Sequence, residues 1–349
     1  MKYQSLHGHS VLSDGVMTHE QILDECQKNN IGVVAVTDHD TLIKPEIFEK
    51  IKNLNHLVKF VSGIEMSADF VPEVKGNLST FHITGLFVDP TNKNIVDFCR
   101  ELQEGRRRRL KKYVEKLTAR GFKITEEEVL KCAGDGGTIG RPHIVNAMKQ
   151  NPENIKLINE MYLKLQETAK TDEVRLEQLK DIDSRPNEFK EWQKWFGLVM
   201  TPEGMFSAHV EYSETGERLI SLDDVVKVIR GAGGLAMIAH WSYLREKYPF
   251  NYEIVEKLLK ESRLDGMETV YSFGIEGEKR QAFVDDMMEL SRLCKKYNMV
   301  EGGGMDFHKP EDIAIALDPN FKDFSERTIG MVEKILEHHP NVDKTWTTL

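Results

Sequence analysis

Cysteine is scarce in this chain of 349 residues, and no two cysteines form a C-x-x-C pair. The four thiols stand far apart, at Cys26, Cys99, Cys132 and Cys294. A disulfide framework and a thiolate zinc site are therefore not expected. Reduced and partly buried thiols are the ordinary interpretation of such a pattern.

Long apolar runs and an excess of positive charge are also absent. No apolar run approaches the roughly 20 residues that a membrane span needs, and the first ten residues, MKYQSLHGHS, lack the apolar core of a signal peptide. We therefore expect a cytoplasmic protein with no membrane partner. The net charge of -10 disfavours long nucleic acid as a partner, although a local cluster of cations can still bind a small anion.

Strand-like and helix-like segments alternate at both ends of the chain. Apolar runs such as IGVVAV (31–36) and LAMIAH (235–240) are typical of strands buried on both faces of a parallel sheet. Helical patterns lie between such runs, and Thr18 and Gln21 have the spacing of a capping box. The alternation predicts an α/β fold, either an open doubly wound sheet or a closed barrel, with its chemistry at the carboxyl ends of the strands.

The middle of the chain has a different character. Residues 151–205 are charged, rich in glutamine and helical, without strand patterns of the earlier kind. We predict that residues 122–218 form an inserted helical lid or substrate domain, and that residues 1–121 and 219–349 form the α/β domain. Within the insertion, Trp192, Trp195 and Phe196 are expected to form the apolar face of a helix, and stacking on a base is the alternative.

Potential metal ligands gather where the predicted strands end. A single histidine at such a position is most often structural, but independent structural histidines have no reason to collect at one rim. Asp38 is a weaker candidate at the same rim. The nine main candidates are His7, His9, Asp14, His39, Glu65, His82, His240, Asp306 and His308.

The types of these side chains indicate the metals and the substrate. Imidazoles and carboxylates without a thiolate suit Zn, Mn or Fe, and nine ligands exceed the need of one ion. We therefore predict two or three divalent ions, with Glu65 bridging. Three divalent ions would carry six positive charges, whereas Asp14, Glu65 and Asp306 supply three negative ones. This excess of positive charge favours an anionic substrate and phosphoryl transfer, with a metal-bridging hydroxide as the nucleophile.

Six motifs, in order along the chain, resemble those of the PHP (polymerase and histidinol phosphatase) phosphoesterases. GRPHIVNAM (140–148) and VVKVIRGAGGLAMIAH (225–240) are similar to the branch of nucleotide phosphatases that carries an inserted domain. The six motifs are LHGHSVLSDG (6–15), TDHD (37–40), GIE (63–65), the histidine of FHITGLFVD (81–89), IAH (238–240) and DFH (306–308).

The resemblance implies a distorted (β/α)7 TIM-like barrel and a trinuclear Mn, Fe or Zn centre. It implies that Asp38 orients a ligand. The equal alternative is that Asp38 only accepts hydrogen bonds at the end of its strand. By motif, one ion takes His7, His9, Glu65 and Asp306, a second takes Asp14, His39 and His308, and a third takes Glu65, His82 and His240.

A further segment, GGTIGRPHI (136–144), resembles the substrate-facing part of the insertion. There Arg141 is expected to grip a phosphate with two hydrogen bonds and His143 to assist it. The alternative is a helix cap with a surface arginine. Asp38, Arg141 and His143 are thus the predicted catalytic residues beside the metal ligands.

The chain departs from the family pattern at three places. Ser5 stands where the family often has an aspartate, which is expected to loosen the orientation of His7 or His9. Met305 stands where a serine is usual, and the insertion is longer and more charged than usual. Neither substitution removes a ligand, so hydrolysis is expected to survive, whereas the longer insertion, the expected lid, leaves the substrate open.

The predicted function is hydrolysis of a phosphomonoester of a small metabolite, with a nucleoside monophosphate or a 3′,5′-bisphosphate as the leading substrate. Alternative activities are histidinol-phosphate phosphatase, cyclic phosphodiesterase and exonuclease on short oligonucleotides. An alternative from another class is a non-catalytic, metal-binding regulatory module. A plain α/β domain without metal is the simplest alternative.

Overall fold

The structure is a computed structural model, and it describes residues 2–54, 56–74, 81–134, 138–247, 250–271, 274–275 and 277–349. The chain divides into two compact units. The first unit comprises Met1–Leu102, Gly136–Thr138 and Leu219–Leu349, and the second comprises Gln103–Asp135 and Ile139–Arg218.

The first unit is built on a curled seven-stranded sheet whose strands lie in sequence order. At its two edges, the Leu6 N–H donates to the Gly303 carbonyl at 3.0 Å, so the first and last strands meet at their carboxyl ends. The strands are β1 (Tyr3–Ser5), β2 (Ile31–Val36), β3 (Lys59–Ala68), β4 (Phe81–Leu86), β5 (Leu235–Ile238), β6 (Gly266–Val270) and β7 (Val300–Gly303).

One strand runs against the others, which the apolar runs typical of a parallel sheet did not indicate. Strand β4 pairs antiparallel with both β3 and β5, while the other neighbours are parallel. Parallel neighbours need a long crossover, usually a helix, whereas antiparallel neighbours do not. Residues 69–74, the described part of the connection from β3 to β4, contain no helix. The amino end of β4 therefore lies at the rim where the parallel strands have their carboxyl ends.

Helices account for most of the remaining structure. The predicted capping box of Thr18 and Gln21 is present at the first of them. In chain order they are α1 (His19–Lys28), α2 (Pro45–Asn53), α3 (Lys93–Ala119), α4 (Glu126–Ala133), α5 (Arg141–Lys149), α6 (Pro152–Thr168), α7 (Glu173–Ser184), α8 (Asn187–Trp195), α9 (Leu222–Gly231), α10 (Trp241–Lys247), α11 (Tyr252–Lys260), α12 (Glu278–Tyr297), α13 (Pro310–Ala314), α14 (Lys322–Arg327) and α15 (Met331–His338).

The second unit contains helices joined by irregular segments, with no strand among its described residues, and it has its own core. Trp195 is buried, its ring centroid 6.0 Å from that of Phe122. Trp192 and Phe196 stack on each other and pack against the same core, as expected for an apolar helix face. The unit begins at Gln103 and not at residue 122, because the second half of α3 contributes buried side chains to this core.

The length and polarity of the helices bear on membrane insertion. Among the residues that the structure describes, none of the helices combines the length and the apolar character that a membrane span requires. The longest helix, α3, carries the run Arg106–Arg109 together with several further charges along its 27 residues.

Candidate metal centre

His7 and His9 lie just beyond β1, in an extended segment that pairs with the chain after β7. The His9 N–H donates to the Phe307 carbonyl at 2.8 Å, and the Asp306 N–H donates to the His7 carbonyl at 3.2 Å. Residues two apart in an extended chain point to the same side, so both imidazoles face the same rim. Gly8 stands between them because a Cβ there would lie 2.2 Å from the Phe307 ring.

Glu65, on β3, lies at the centre of the cluster and is fully buried. Its Oε1 lies 3.0 Å from His82 Nδ1 and 2.9 Å from His240 Nε2. One carboxylate thus faces five imidazoles, the arrangement expected of a ligand that bridges two cations. The other oxygen, Oε2, faces three of them at 2.9–3.5 Å, those of His7, His9 and His39.

Asp14 lies at the outer side of the cluster, opposite three imidazoles. Its Oδ1 is 3.6 Å from His308 Nε2 and 3.7 Å from His9 Nδ1, and its Oδ2 is 3.7 Å from His39 Nε2. The His9 ring stacks on those of His39 and His308 at 4.5 and 4.4 Å. The three N···O distances from Asp14 are longer than hydrogen bonds, so its carboxylate faces these imidazoles without bonding to them directly.

His82 and His240 complete the cluster from neighbouring antiparallel strands. His82 is the second residue of β4 and His240 follows β5, so the reversed direction of β4 brings both to one rim. Their Nδ1 and Nε2 atoms are 3.4 Å apart. His240 and Asp306 have φ values of +34° and +54°, a region that non-glycine residues rarely adopt and that surrounding structure must hold.

The structure thus brings all nine predicted side chains together. They form four overlapping groups whose potential ligand atoms lie within 4.8 Å of one another. The grouping keeps Asp14, His39 and His308 together, as the resemblance implies, and adds His9. The groups are His9–Asp14–His39–His308, His7–His240–Asp306, His7–His9–Glu65 and His39–Glu65–His82.

The carboxylates of the cluster are held ionised by the imidazoles that face them. Burial alone would raise the pKa of Glu65, but the surrounding histidines outweigh it and hold the pKa well below its ordinary value. Burial would lower the pKa of His308, but Asp14 and Asp306 outweigh it and raise the pKa to about 10. A divalent cation would therefore compete with protons for these side chains.

Three buried polar atoms indicate that the cluster suits a cation. Within the described part of the chain, no group hydrogen-bonds to His7 Nε2, Asp14 Oδ1 or Glu65 Oε2, although all three are shielded from solvent. Buried polar atoms normally have partners, and leaving them unpaired is costly. Nitrogen and oxygen donors without sulfur fit Zn, Mn or Fe, so the residues present fit the predicted metals.

Asp38 and Ser5 hold loops at the edge of the cluster. Asp38 is buried and accepts hydrogen bonds from the Ser10 N–H (2.7 Å), Ser10 Oγ (2.6 Å) and Ser13 Oγ (2.6 Å). Ser13 Oγ in turn lies 3.4 Å from His9 Nδ1, which supports an orienting role for Asp38 more than proton transfer. Ser5 Oγ bonds to main-chain atoms, accepting from the N–H of Met305 at 3.1 Å.

Sequence reasoning missed one carboxylate, Glu268 on β6. It is fully buried, and its Oε1 lies 2.7 Å from both His7 Nδ1 and Thr84 Oγ1. Its Oε2 accepts the main-chain N–H of His240 at 3.0 Å. The available signal was a single acidic residue in the buried strand GMETV, whose other residues carry no charge.

The predicted substrate residues lie in the second unit. Arg141 is exposed at the first position of α5, and His143 is buried with its Nδ1 accepting the Gly140 N–H at 2.9 Å. This bond is the helix cap that the sequence allowed as the alternative role. The charge of Arg141 also lowers the pKa of His209, after the larger effect of burial.

Comparisons with known proteins agree with the motif resemblance. No family model matches the chain. The 3′,5′-nucleoside bisphosphate phosphatase of Chromobacterium violaceum is 23% identical over 308 residues, 87% of each chain. The phosphoribosyl 1,2-cyclic phosphate 1,2-diphosphodiesterase of Eggerthella lenta is 24% identical over 310 residues, 87% of this chain and 94% of the relative. Both relatives are phosphoester hydrolases, which confirms the resemblance to phosphoesterases.

A solved structure shows the same fold. An amidohydrolase from Chromobacterium violaceum, with bound sulfate and no metal, superimposes with a TM-score of 0.62 at 22% identity. The match covers 89% of this chain and 90% of the other. A likeness that spans both units supports the mixed α/β architecture over nearly the whole chain.

Proposed function

We propose that this protein is a metal-dependent phosphoesterase that hydrolyses a phosphomonoester of a small metabolite, with a nucleotide as the substrate class. The observation that carries the proposal is Glu65, a fully buried carboxylate that faces five imidazoles. The curated relatives support it, because one is a nucleoside bisphosphate phosphatase and the other acts on a cyclic phosphate ester.

The ligand assignment that we propose follows the motif resemblance. We assign His7, His9, Glu65 and Asp306 to one ion. We assign Asp14, His39 and His308 to a second, and Glu65, His82 and His240 to a third. The overlap of the four geometric groups at Glu65, His7, His9 and His39 supports two or three ions that share ligands.

The side chains of the cluster account for substrate preference through charge. Divalent ions at such a site acidify bound water and neutralise phosphoryl oxygens. Asp14, Glu65 and Asp306 supply three negative charges, fewer than two or three divalent ions carry in total. With three ions the site would be positive overall even with the carboxyl of Glu268 counted, and it would attract an anionic group such as a phosphate, despite the net charge of -10 on the chain.

We propose that Arg141 and His143 bind the substrate. We also propose that the second unit acts as an inserted lid or substrate domain. The exposed guanidinium of Arg141 at the amino end of α5 supports this, because helix amino ends and arginine forks both favour phosphate.

We also propose that the curled sheet is a distorted (β/α)7 barrel, supported by the hydrogen bonds between the ends of β1 and β7.

The test joins metal analysis to a phosphate-release screen on the tag-free protein. The panel contains nucleoside monophosphates, 3′,5′-bisphosphates, cyclic phosphates, short oligonucleotides, sugar phosphates and histidinol phosphate. His9→Ala and Asp306→Ala should abolish turnover and keep the circular dichroism spectrum of the wild type. His338→Ala, an exposed residue outside the cluster, serves as the matched control and should keep full activity.

Two results would contradict the proposal. Full activity of either ligand variant in a metal-replete assay would refute the ligand assignment. A wild-type protein that holds metal but releases phosphate from no member of the panel would favour the non-catalytic module instead.

A further inference from the structure

A buried carboxylate outside the predicted ligand set connects four strands beneath the cluster. Glu268 extends from β6 and contacts His7 beyond β1, Thr84 on β4 and the main chain of His240 beyond β5. We propose that Glu268 is a positioning residue that fixes the metal-binding edge of His7 and the main-chain conformation of His240. This inference rests on the proposed role of both histidines as ligands.

The contact with His7 determines which ring nitrogen is left for a cation. Both oxygens of Glu268 act as acceptors, Oε1 for the Thr84 hydroxyl and Oε2 for the His240 N–H, so His7 Nδ1, 2.7 Å from Oε1, is placed as a donor and carries a proton. The lone pair of a neutral ring is then on Nε2. That atom lies 3.5 Å from Glu65 Oε2 and 3.4 Å from Asp306 Oδ1, and it has no hydrogen bond among the described residues. Carboxylates that hold a ligating histidine in this way commonly tune metal affinity.

The contact with His240 acts on the backbone. The φ of +34° at His240 lies in the left-handed region, which a non-glycine residue adopts only when its surroundings hold it there. Glu268 Oε2 accepts the His240 N–H at 3.0 Å and supplies such a restraint. The His240 ring then directs its Nε2 to Glu65 Oε1 at 2.9 Å.

Thr84 makes the acceptor role of Glu268 specific. Its hydroxyl donates to Oε1 at 2.7 Å, the same oxygen that faces His7. A glutamine amide has one acceptor oxygen and one NH2 group with two N–H donors, so it cannot accept at both ends, from His7 and from the His240 main chain. One orientation sets its NH2 against the His240 N–H. The other sets its NH2 against His7 Nδ1 and moves the ring proton to Nε2, where it blocks the cation.

The experiment compares Glu268→Gln with the wild type and with Asp286→Asn. Asp286 is a matched control because it is a buried carboxylate that accepts from Ser242 Oγ at 2.7 Å and from Tyr252, neither of them a proposed ligand. Zn²⁺ affinity is measured by calorimetry against a competing chelator. The imidazole nitrogens of the zinc-loaded proteins are observed by NMR after selective ¹⁵N labelling of histidine, with His7→Gln used to assign the His7 signal.

We expect Glu268→Gln to lower Zn²⁺ affinity by about 10- to 100-fold and to shift the His7 Nδ1–H signal, or to remove it where the amide NH2 faces His7. Asp286→Asn should keep both. Glu268→Asp, which retains the charge, should recover part of the affinity. If Glu268→Gln does not fold, Glu268→Asp carries the test, with a smaller loss in the same direction expected.

Equal Zn²⁺ affinity of the wild type and the Glu268 variants would overturn the inference, as would an equal loss in Asp286→Asn. A wild type that binds no Zn²⁺ would overturn it together with the ligand assignment. A wild type that binds Zn²⁺ with the His7 Nδ1–H signal but hydrolyses no phosphoester would refute the proposed activity and still support the role of Glu268.

Discussion

Replacing Glu65 by glutamine should disable the metal centre while keeping the shape of the side chain. Glu65 is fully buried and is the shared member of two of the four ligand groups. Glutamine keeps the volume and one acceptor oxygen but removes the negative charge that faces five imidazoles. The variant therefore isolates the charge and the bridging capacity of the carboxylate from its packing.

The magnitude follows from the cost of removing one partner of a buried charge pair, about 3–5 kcal/mol. At about 1.4 kcal/mol per factor of ten, this corresponds to a loss of roughly two to four orders of magnitude in the affinity for the most tightly bound ion. Turnover should fall at least as far, because a site that lacks an ion no longer neutralises the phosphoryl group.

The assay is chelator-competition calorimetry with Mn²⁺ and Zn²⁺, followed by phosphate release at saturating metal. Asp286→Asn is again the matched control, since it also removes the charge of a buried carboxylate. The reasoning is refuted if Glu65→Gln retains the metal affinity and turnover of the wild type, or if the control loses as much as Glu65→Gln.

Three further predictions concern protons, a loop and the substrate. Because the pKa of His308 is raised to about 10, this side chain is protonated at neutral pH, so cation binding should release protons and metal affinity should rise with pH. Calorimetry in two buffers of different ionisation enthalpy measures this proton release, and equal binding heats in both buffers would contradict the prediction. Asp38→Asn should lower the free energy of unfolding by about 1–3 kcal/mol, measured by urea titration, because it weakens three hydrogen bonds from Ser10 and Ser13; an unchanged midpoint would exclude the orienting role. Arg141→Lys should raise KM with little change in kcat, because lysine cannot bind phosphate with two parallel hydrogen bonds; steady-state kinetics that leave KM unchanged would exclude Arg141 from substrate binding.

The sequence was sufficient to predict which side chains meet at the rim. His7, His39 and Glu65 follow or end apolar strands, and strands of a parallel sheet have their carboxyl ends at one edge. That reasoning needs only the positions of the strands, so errors of two or three residues in strand length did not affect it. Strand β1, for example, ends at Ser5, before both of its histidines.

Strand direction and the boundary between units were less accessible. Apolar periodicity is the same in parallel and antiparallel strands, so the reversal of β4 has no signature in the run FHITGL itself. The boundary lies within α3, because that helix is continuous from Lys93 to Ala119 and its second half joins another core. The change of composition that led to the predicted bound at residue 122 lies further along the chain.

Glu268 was missed for a different reason. Its partners are His7, Thr84 and the main chain of His240, which lie 261, 184 and 28 residues away in the sequence. Motif reasoning collects residues that could bind a cation directly, whereas a supporting carboxylate is recognised only by what it contacts. An acidic residue in the middle of a buried strand is the one local sign of such a role.

The most direct test of the central claim is the metal content of the purified, tag-free protein, measured by elemental analysis on samples whose phosphate release is assayed in parallel. The account predicts two or three Mn, Fe or Zn ions per chain and hydrolysis of a nucleotide phosphomonoester that is lost when a chelator removes the metal and restored when the metal is returned. A protein that binds no divalent ion, or that hydrolyses its substrate equally well after complete removal of metal, would contradict the account.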